Sequence, residues 1–68
     1  MSVFIAFDDS AQCTDCDMWY DRFLGAFHSL EEAKNCPECN EVREMEGVKM
    51  VGYCNLWRGK WGNWIAMK

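Results

Sequence analysis

The sequence predicts a small α+β fold, in which antiparallel β-hairpins and one short helix surround two pairs of cysteines. Short runs of alternating apolar and polar residues, rich in aromatic and β-branched types, are typical of paired strands. One segment has the pattern of a helix cap. Residues 1–68 are expected to form a single domain. A core of that size needs a further stabilising element, such as bound metal or disulfides.

The N-terminal part is predicted to contain one strand followed by a hairpin. Residues 3–7 are β-branched or aromatic apart from one alanine, and residues 8–10 read Asp-Asp-Ser, so we expect a short strand that ends in a turn there. The segment 17–27 has aromatic residues on both sides of Asp21-Arg22. We therefore expect a hairpin whose turn lies at that dipeptide.

The helix is predicted to begin after Ser29. The serine hydroxyl can accept a hydrogen bond from the backbone N–H of Glu32 while the glutamate side chain reaches back, which is the capping-box pattern. Because Pro37 lacks a backbone donor and disfavours helical geometry at Cys36, we expect a helix of about two turns. The charged residues 41–47 are expected to form a loop or a short helix.

The C-terminal part is predicted to be a second hairpin. Residues 48–57 alternate as a strand does, with Cys54 on the apolar face, where a free cysteine behaves as a small buried hydrophobe. Residues 58–60 read Arg-Gly-Lys and supply the turn. Residues 61–67 return as a strand, with a bend expected at residues 62–63.

The two cysteine pairs are spaced as C-x2-C-x19-C-x2-C, as expected of a tetrahedral metal site. Two intervening residues allow both sulfurs of a pair to reach one zinc ion at about 2.3 Å. A sulfur cage also accepts iron, and zinc is the preferred prediction. His28 is expected at the surface, outside the ligand set. The predicted metal ligands are Cys13, Cys16, Cys36 and Cys39.

The segment Cys-Pro-Glu-Cys-Asn at residues 36–40 resembles the knuckles of the zinc-ribbon and rubredoxin-like group, which read C-P-x-C-G or C-x2-C-G. The resemblance covers the two knuckles. Asp17 and Asn40 stand where that group usually has glycine, and we expect a positive φ at both. The resemblance implies a structural metal ion. The prediction is thus one zinc-ribbon-like domain, a small α+β zinc-binding fold around a metal site of four cysteines.

Composition favours a location in the cytoplasm. The N-terminus has no basic region before its apolar run, unlike a secretory signal. No segment approaches the roughly 18 uninterrupted apolar residues of a membrane helix. In a reducing compartment, closely spaced cysteines are more often metal ligands or catalytic thiols than disulfides.

Charge divides the chain into an acidic body and a basic C-terminal segment. Residues 1–46 carry all 11 acidic residues and three basic ones, a net charge of −8, whereas residues 47–68 carry four basic residues and no acidic one. An acidic body favours a basic partner surface, including one that normally receives nucleic acid. Its clustered acids are Asp8, Asp9, Asp15, Asp17 and Asp21.

The C-terminal hairpin is the predicted partner-binding surface. It holds three tryptophans and two cations within eight residues, and tryptophan and arginine dominate binding hot spots. The alternative is that these rings fill the core of a small domain. We expect at least one of the three tryptophans to be exposed. The predicted contact residues are Trp57, Arg58, Lys60, Trp61 and Trp64.

These features favour a protein-binding module over an enzyme. A four-sulfur zinc site has no open position for water, and no serine, histidine and carboxylate set offers a nucleophile with its base. A small host-directed or mobile-element inhibitor or regulator would combine these properties. A nucleic-acid-binding zinc ribbon is the first alternative, disfavoured by the net charge of −4. A rubredoxin-like iron electron carrier is the second.

Overall fold

The computed structural model describes residues 2–12, 15 and 18–67. Its strands form one antiparallel sheet in the order β2-β1-β3-β4-β5, with β6 also paired to β4. The prediction of antiparallel hairpins with one short helix is confirmed. No helix in this part of the chain is long and apolar enough to cross a membrane. The elements are β1 (Val3–Gln12), β2 (Trp19–Phe27), α1 (Leu30–Lys34), β3 (Glu41–Glu46), β4 (Lys49–Trp57), β5 (Lys60–Trp61) and β6 (Ile65–Ala66).

The sheet has an inner face, covered by α1 and the C-terminal segment, and an outer face without such a cover among the described residues. Ala6, Val42 and Cys54 are paired in one row across β1, β3 and β4 and are all buried on the inner face. Ala33 of α1 and Cys39 complete the buried core. Val42 and Cys54 are the largest fully buried side chains that the structure describes, so the core is small.

The C-terminal segment closes the inner face beside Gly52. The Trp64 ring lies so close to this glycine that a methyl group added there would overlap the ring. Trp64 also meets Phe4 in an edge-to-face contact, with 6.0 Å between ring centroids. Trp64 therefore substitutes for the second core layer that a 68-residue chain is too short to build.

The predicted turns in the N-terminal part are wrong. Strand β1 continues through residues 8–10 and ends at Gln12. Within it, the Asp8 side chain accepts hydrogen bonds from the Ser10 backbone N–H and hydroxyl, and the pairing with β2 shifts register after Asp8. Strand β2 runs straight through Asp21 and Arg22. Both residues have partners from distant segments, which override their local preference for a turn.

The loop or short helix predicted for residues 41–47 is also wrong, because residues 41–46 form β3. Val42 points into the core, while Arg43 forms ion pairs with Asp21 and Glu41 on the outer face. Two of the four charged residues of this strand, Glu41 and Arg43, are thus paired on the outer face. Gly47 then closes the hairpin with a φ of 62°.

The helix and the C-terminal hairpin are close to their predictions. Ser29 caps α1, since its hydroxyl accepts from the Glu32 backbone at 3.4 Å, but the helix spans five residues and is shorter than expected. Arg58 and Gly59 have φ values of 52° and 78°, the pair of positive values that a type I′ hairpin turn requires. The predicted return strand is divided into β5 and β6, because the intervening residues 62–64 carry Trp64 under the sheet.

Candidate functional site

The second cysteine pair occupies a tight turn after α1. The backbone N–H of Cys39 donates to the carbonyl of Cys36 at 3.2 Å, and Glu38 between them has a φ of 68°. Pro37 followed by a residue of positive φ is typical of a type II turn. The turn therefore holds both cysteines within one four-residue segment, the arrangement expected of one knuckle.

The positive φ predicted at Asn40 is wrong, and the one predicted at Asp17 lies outside the described residues. Asn40 is extended into the sheet: its N–H donates to the Phe7 carbonyl at 3.0 Å, and its carbonyl accepts from Leu56 at 2.8 Å. These hydrogen bonds to β1 and β4 fix the backbone of Asn40. The left-handed residue of the cysteine turn is Glu38 instead.

Three thiols lie on the inner face of the sheet. Cys36 is half-buried, whereas Cys39 and Cys54 are buried, as predicted for Cys54. Burial raises the pKa of the Cys39 thiol, which donates to the Glu41 carbonyl at 3.4 Å. Burial also raises the pKa of Cys54, against the opposing charge of Lys34. Without a metal, both buried thiols remain protonated at neutral pH.

The predicted metal ligands fall into one described pair and one pair outside the described residues. Cys13 and Cys16 lie outside the described residues. Within residues 2–12, 15 and 18–67, no three histidine, cysteine or acidic side chains are placed to hold a metal ion. Of the four predicted ligands, the structure thus describes Cys36 and Cys39, which share one tight turn.

The β1–β2 hairpin connects the segment of the first cysteine pair to the turn of the second. Gln12 pairs with Trp19, so the segment with the first cysteine pair joins β1 to β2. In the same two strands, Arg22 of β2 forms ion pairs with Asp8 of β1, at 3.5 Å, and with Glu38 of the cysteine turn. The cysteine turn therefore contacts the hairpin that carries the other pair.

The five predicted contact residues divide into two groups. Trp57, Arg58 and Lys60 are exposed around the β4–β5 turn, and we call them the C-terminal tip. Trp57 is 72% exposed, which confirms that at least one of the three tryptophans is accessible. Trp61 and Trp64 are half-buried against the core, and the Lys34 ammonium lies 5.7 Å from the centroid of the Trp61 ring.

Strand β2 exposes a second aromatic surface that the sequence reasoning missed. Trp19, Tyr20 and Phe23 are 66%, 47% and 61% exposed, and neighbouring Met18 is 67% exposed. These side chains are half of the exposed large apolar residues in the described part of the chain. The available signal was their spacing: consecutive Trp19 and Tyr20 break the alternation of a strand with one buried face.

The outer face beside β2 is organised around Arg43. Its guanidinium lies 4.4 Å from the Phe7 ring centroid and forms ion pairs with Asp21 and Glu41. Desolvation lowers the pKa of Arg43, but the hydrogen bonds to both carboxylates raise it above its usual value overall. Phe7 meets Phe23 edge to face, with centroids 6.4 Å apart. This network fixes the outer side of β2 near Asp21.

Two adjacent carboxylates at this end of β1 have opposite pKa shifts. Hydrogen bonds from Ser10 and the charge of Arg22 lower the pKa of Asp8. Burial and the like charges of Glu41, Asp21 and Asp8 raise the pKa of Asp9. Arg22 therefore offsets part of the negative charge beside Asp8, whereas the carboxylates around Asp9 repel its charged form.

Comparison with protein-family models, curated proteins and solved structures gives no match.

Proposed function

We propose that the chain is a small, zinc-stabilised protein-binding module of the cytoplasm, which acts as an inhibitor or regulator by occupying a surface of its partner and has no catalytic activity of its own. The observation that carries this proposal is the exposure of Trp57 at a tightly constrained turn. Tryptophan is among the residue types that most often dominate the binding energy of protein interfaces.

The setting of Trp57 favours contact over a structural role. Trp57 is paired with Lys60 across the turn and is followed in sequence by Arg58, at a two-residue turn whose backbone is fixed by positive φ values. Trp61, paired with Leu56 at the base of the turn, is anchored against the core. A ring presented on such a turn loses little conformational entropy when it binds.

Zinc is proposed as the stabilising element, held by Cys13, Cys16, Cys36 and Cys39. The spacing, the Cys36–Cys39 turn and a core whose largest fully buried side chains are Val42 and Cys54 all support it. Structural zinc contributes about 10 to 16 kcal/mol in small domains, far more than such a core supplies. An iron electron carrier is the alternative for the same ligands, distinguished by metal content and by the visible absorption of sulfur-bound iron.

Nucleic-acid binding is the second candidate, because Arg58 and Lys60 flank an exposed ring on which a base could stack. The negative net charge of −4 disfavours it. The two candidates differ in their response to nuclease and salt.

The test is capture from a native lysate on the immobilised zinc-loaded chain, with and without nuclease. The wild type should retain the same protein after nuclease treatment. The Trp57→Ala variant should bind that protein about 2 kcal/mol more weakly, close to thirty-fold in Kd. The matched control is Val48→Ala, since Val48 is a fully exposed apolar residue at another hairpin turn and should bind normally.

Two results would contradict the proposal. Normal binding by Trp57→Ala would remove the C-terminal tip from the contact surface. Loss of the captured protein after nuclease, together with affinity for single-stranded RNA or DNA that falls steeply with salt, would favour the nucleic-acid candidate.

A further inference from the structure

We propose that the open edge of β2 binds an extended, basic segment of a partner protein as an added antiparallel strand. This inference rests on the proposed protein-binding function and names a second contact surface with its own partner chemistry. The surface consists of residues Trp19–Phe23, which we call the β2 edge.

The backbone of β2 is available for strand addition. This strand is the first in the sheet order, and no other strand among the described residues pairs with its free edge, the one opposite β1. Register shifts interrupt β1 after Asp8 and the pairing near Gly25, but Trp19–Phe23 runs without an inserted residue. Five continuous residues at an edge present a template for main-chain hydrogen bonds.

The β2 edge carries only part of the protection that is usual for an edge strand. Such edges commonly carry lysine or proline or are covered by another element. The sequence of β2, Trp-Tyr-Asp-Arg-Phe-Leu-Gly-Ala-Phe, contains neither residue type. Its two charged residues, Asp21 and Arg22, are held in ion pairs with other segments of the chain. Its exposed large apolar side chains are aromatic, which favours pairing with another chain.

Aromatic rings lie on both faces of this edge. Side chains alternate along a strand, so Trp19, Asp21 and Phe23 share the outer face and Tyr20 lies on the inner one. The contacts of Phe23 with Phe7 and of Asp21 with Arg43 agree with that assignment. An added strand would meet an aromatic ring on either face, so its apolar residues would be covered on both sides.

The charges beside the edge select a basic occupant. Asp9, Asp21 and Glu41 interact on the outer side, and Arg43 is the one cation among them within the described residues. On the inner side, Arg22 is shared between Asp8 and Glu38. Each side keeps an excess of negative charge, which lysine or arginine on an added strand would complement.

A second copy of the chain fits this edge less well. The β2 edge has Asp21 at its centre, so two-fold antiparallel pairing would place Asp21 opposite the same residue of the other copy. Like charges directly opposite each other destabilise a strand pair. It would also bring together two acidic bodies, each of net charge −8 over residues 1–46. A partner with the opposite charge avoids both penalties.

The experiment uses the zinc-loaded full chain and synthetic nine-residue probes. One probe alternates lysine and valine, one alternates glutamate and valine, and a third is the lysine probe with a central proline. Binding is measured by fluorescence anisotropy. The lysine probe should bind, with roughly tenfold or greater loss of affinity for the other two, because one reverses the charge and the other removes a main-chain donor.

Matched variants locate the contact. Trp19 and Trp57 are similarly exposed tryptophans, so Trp19→Lys and Trp57→Lys make the same change at the β2 edge and at the C-terminal tip. We expect Trp19→Lys to weaken lysine-probe binding about fivefold or more through a repelling charge and a lost ring, and Trp57→Lys to leave it unchanged. Tyr20→Lys is the second edge variant if Trp19→Lys fails to fold.

Amide hydrogen exchange gives an independent result. Alternate N–H groups of β2 should become protected when the lysine probe binds, while those of β4 should not change. No binding, normal binding by a folded edge variant, or protection elsewhere would overturn the inference. Protection of β2 without probe, with a concentration-dependent dimer, would assign the edge to a second copy and also overturn it. The proposed function fails separately, through normal partner capture by Trp57→Ala.

Discussion

The C-terminal tip and the β2 edge both expose aromatic rings, but they differ in charge and in backbone. Trp57 is 72% exposed and lies near two cations in the sequence, at a hairpin turn whose backbone conformation is fixed by positive φ values. Trp19 is 66% exposed on an open strand edge bordered by acids. Under the two proposals, the same residue type would serve two kinds of contact: a single ring for a partner pocket at the tip, and a row of main-chain groups for an added strand at the edge.

Removing the metal is expected to have the largest effect and to abolish both surfaces together. We expect the small core of the described residues to be insufficient without the proposed zinc, so a strong chelator should unfold the chain. Circular dichroism and tryptophan emission report folding, and metal content is measured in parallel. A folded metal-free chain, or less than about half an equivalent of bound metal at the outset, would contradict this expectation.

Cysteine variants provide the control for metal removal. Serine at Cys13, Cys16, Cys36 or Cys39 should release the metal, because each change removes one thiolate from the cage. Cys54→Ser should keep it and cost about 1 to 3 kcal/mol, since it buries a hydroxyl in the core. Metal loss from Cys54→Ser with retention in one of the other four would show that the ligand assignment is wrong.

A smaller effect on stability should distinguish structural tryptophans from partner-contacting ones within the C-terminal segment. Trp64→Ala removes the ring beneath Gly52 and should lower the free energy of unfolding by about 3 kcal/mol. Trp57→Ala should change it by less than about 0.5 kcal/mol, because its ring is mostly in water. Urea denaturation of both metal-loaded variants gives the comparison. Equal destabilisation by the two substitutions would make the tip a structural feature.

The smallest expected effect lies beside the β2 edge, where Asp8 and Asp9 differ. The lowered pKa of Asp8 stabilises the fold above about pH 3.8, and this contribution is lost as pH falls through the lowered value. The raised pKa of Asp9 has the opposite sign: its contribution is favourable below about pH 3.8 and is lost as pH rises through the raised value. At neutral pH, charged Asp9 therefore destabilises the chain.

Matched substitutions test that difference. At pH 7, Asp9→Asn should raise the Tm and Asp8→Asn should lower it, although each removes one negative charge. The advantage of Asp9→Asn should diminish in acid, where wild-type Asp9 becomes protonated. Thiolate ligands also take up protons in acid, so each variant is compared with the wild type at the same pH. Shifts of the same sign would show that net charge outweighs the local contacts.

The features predicted correctly from sequence depend on neighbouring residues. The Ser29 cap needs only a backbone N–H three residues ahead, and the Arg58-Gly59 turn needs only two positive φ values. The burial of Cys54 follows from the alternation of its own strand. Local chemistry was sufficient in each case because both partners of the interaction lie in the same short segment.

The incorrect predictions concern charged residues whose partners are distant in sequence. Asp21-Arg22 has the composition of a turn, but Arg43 and Asp8 bind these side chains from β3 and β1 and extend the strand. Residues 41–46 have the composition of a loop, but Arg43 pairs with Asp21 of β2 and Glu41 accepts a hydrogen bond from Asn55 of β4. Pairing energy that comes from another strand has no trace in the local sequence.

By itself, the sequence determined the fold class, the aromatic and cationic C-terminal turn, and the proposal that four cysteines bind one metal ion. Only the tertiary structure decided which aromatic rings meet water. The sheet order places β2 at an edge and brings Trp64 under Gly52, so rings of equal hydrophobicity become contact surface in one place and core in another. Exposure depends on which strands are neighbours, and that order is a property of long-range pairing.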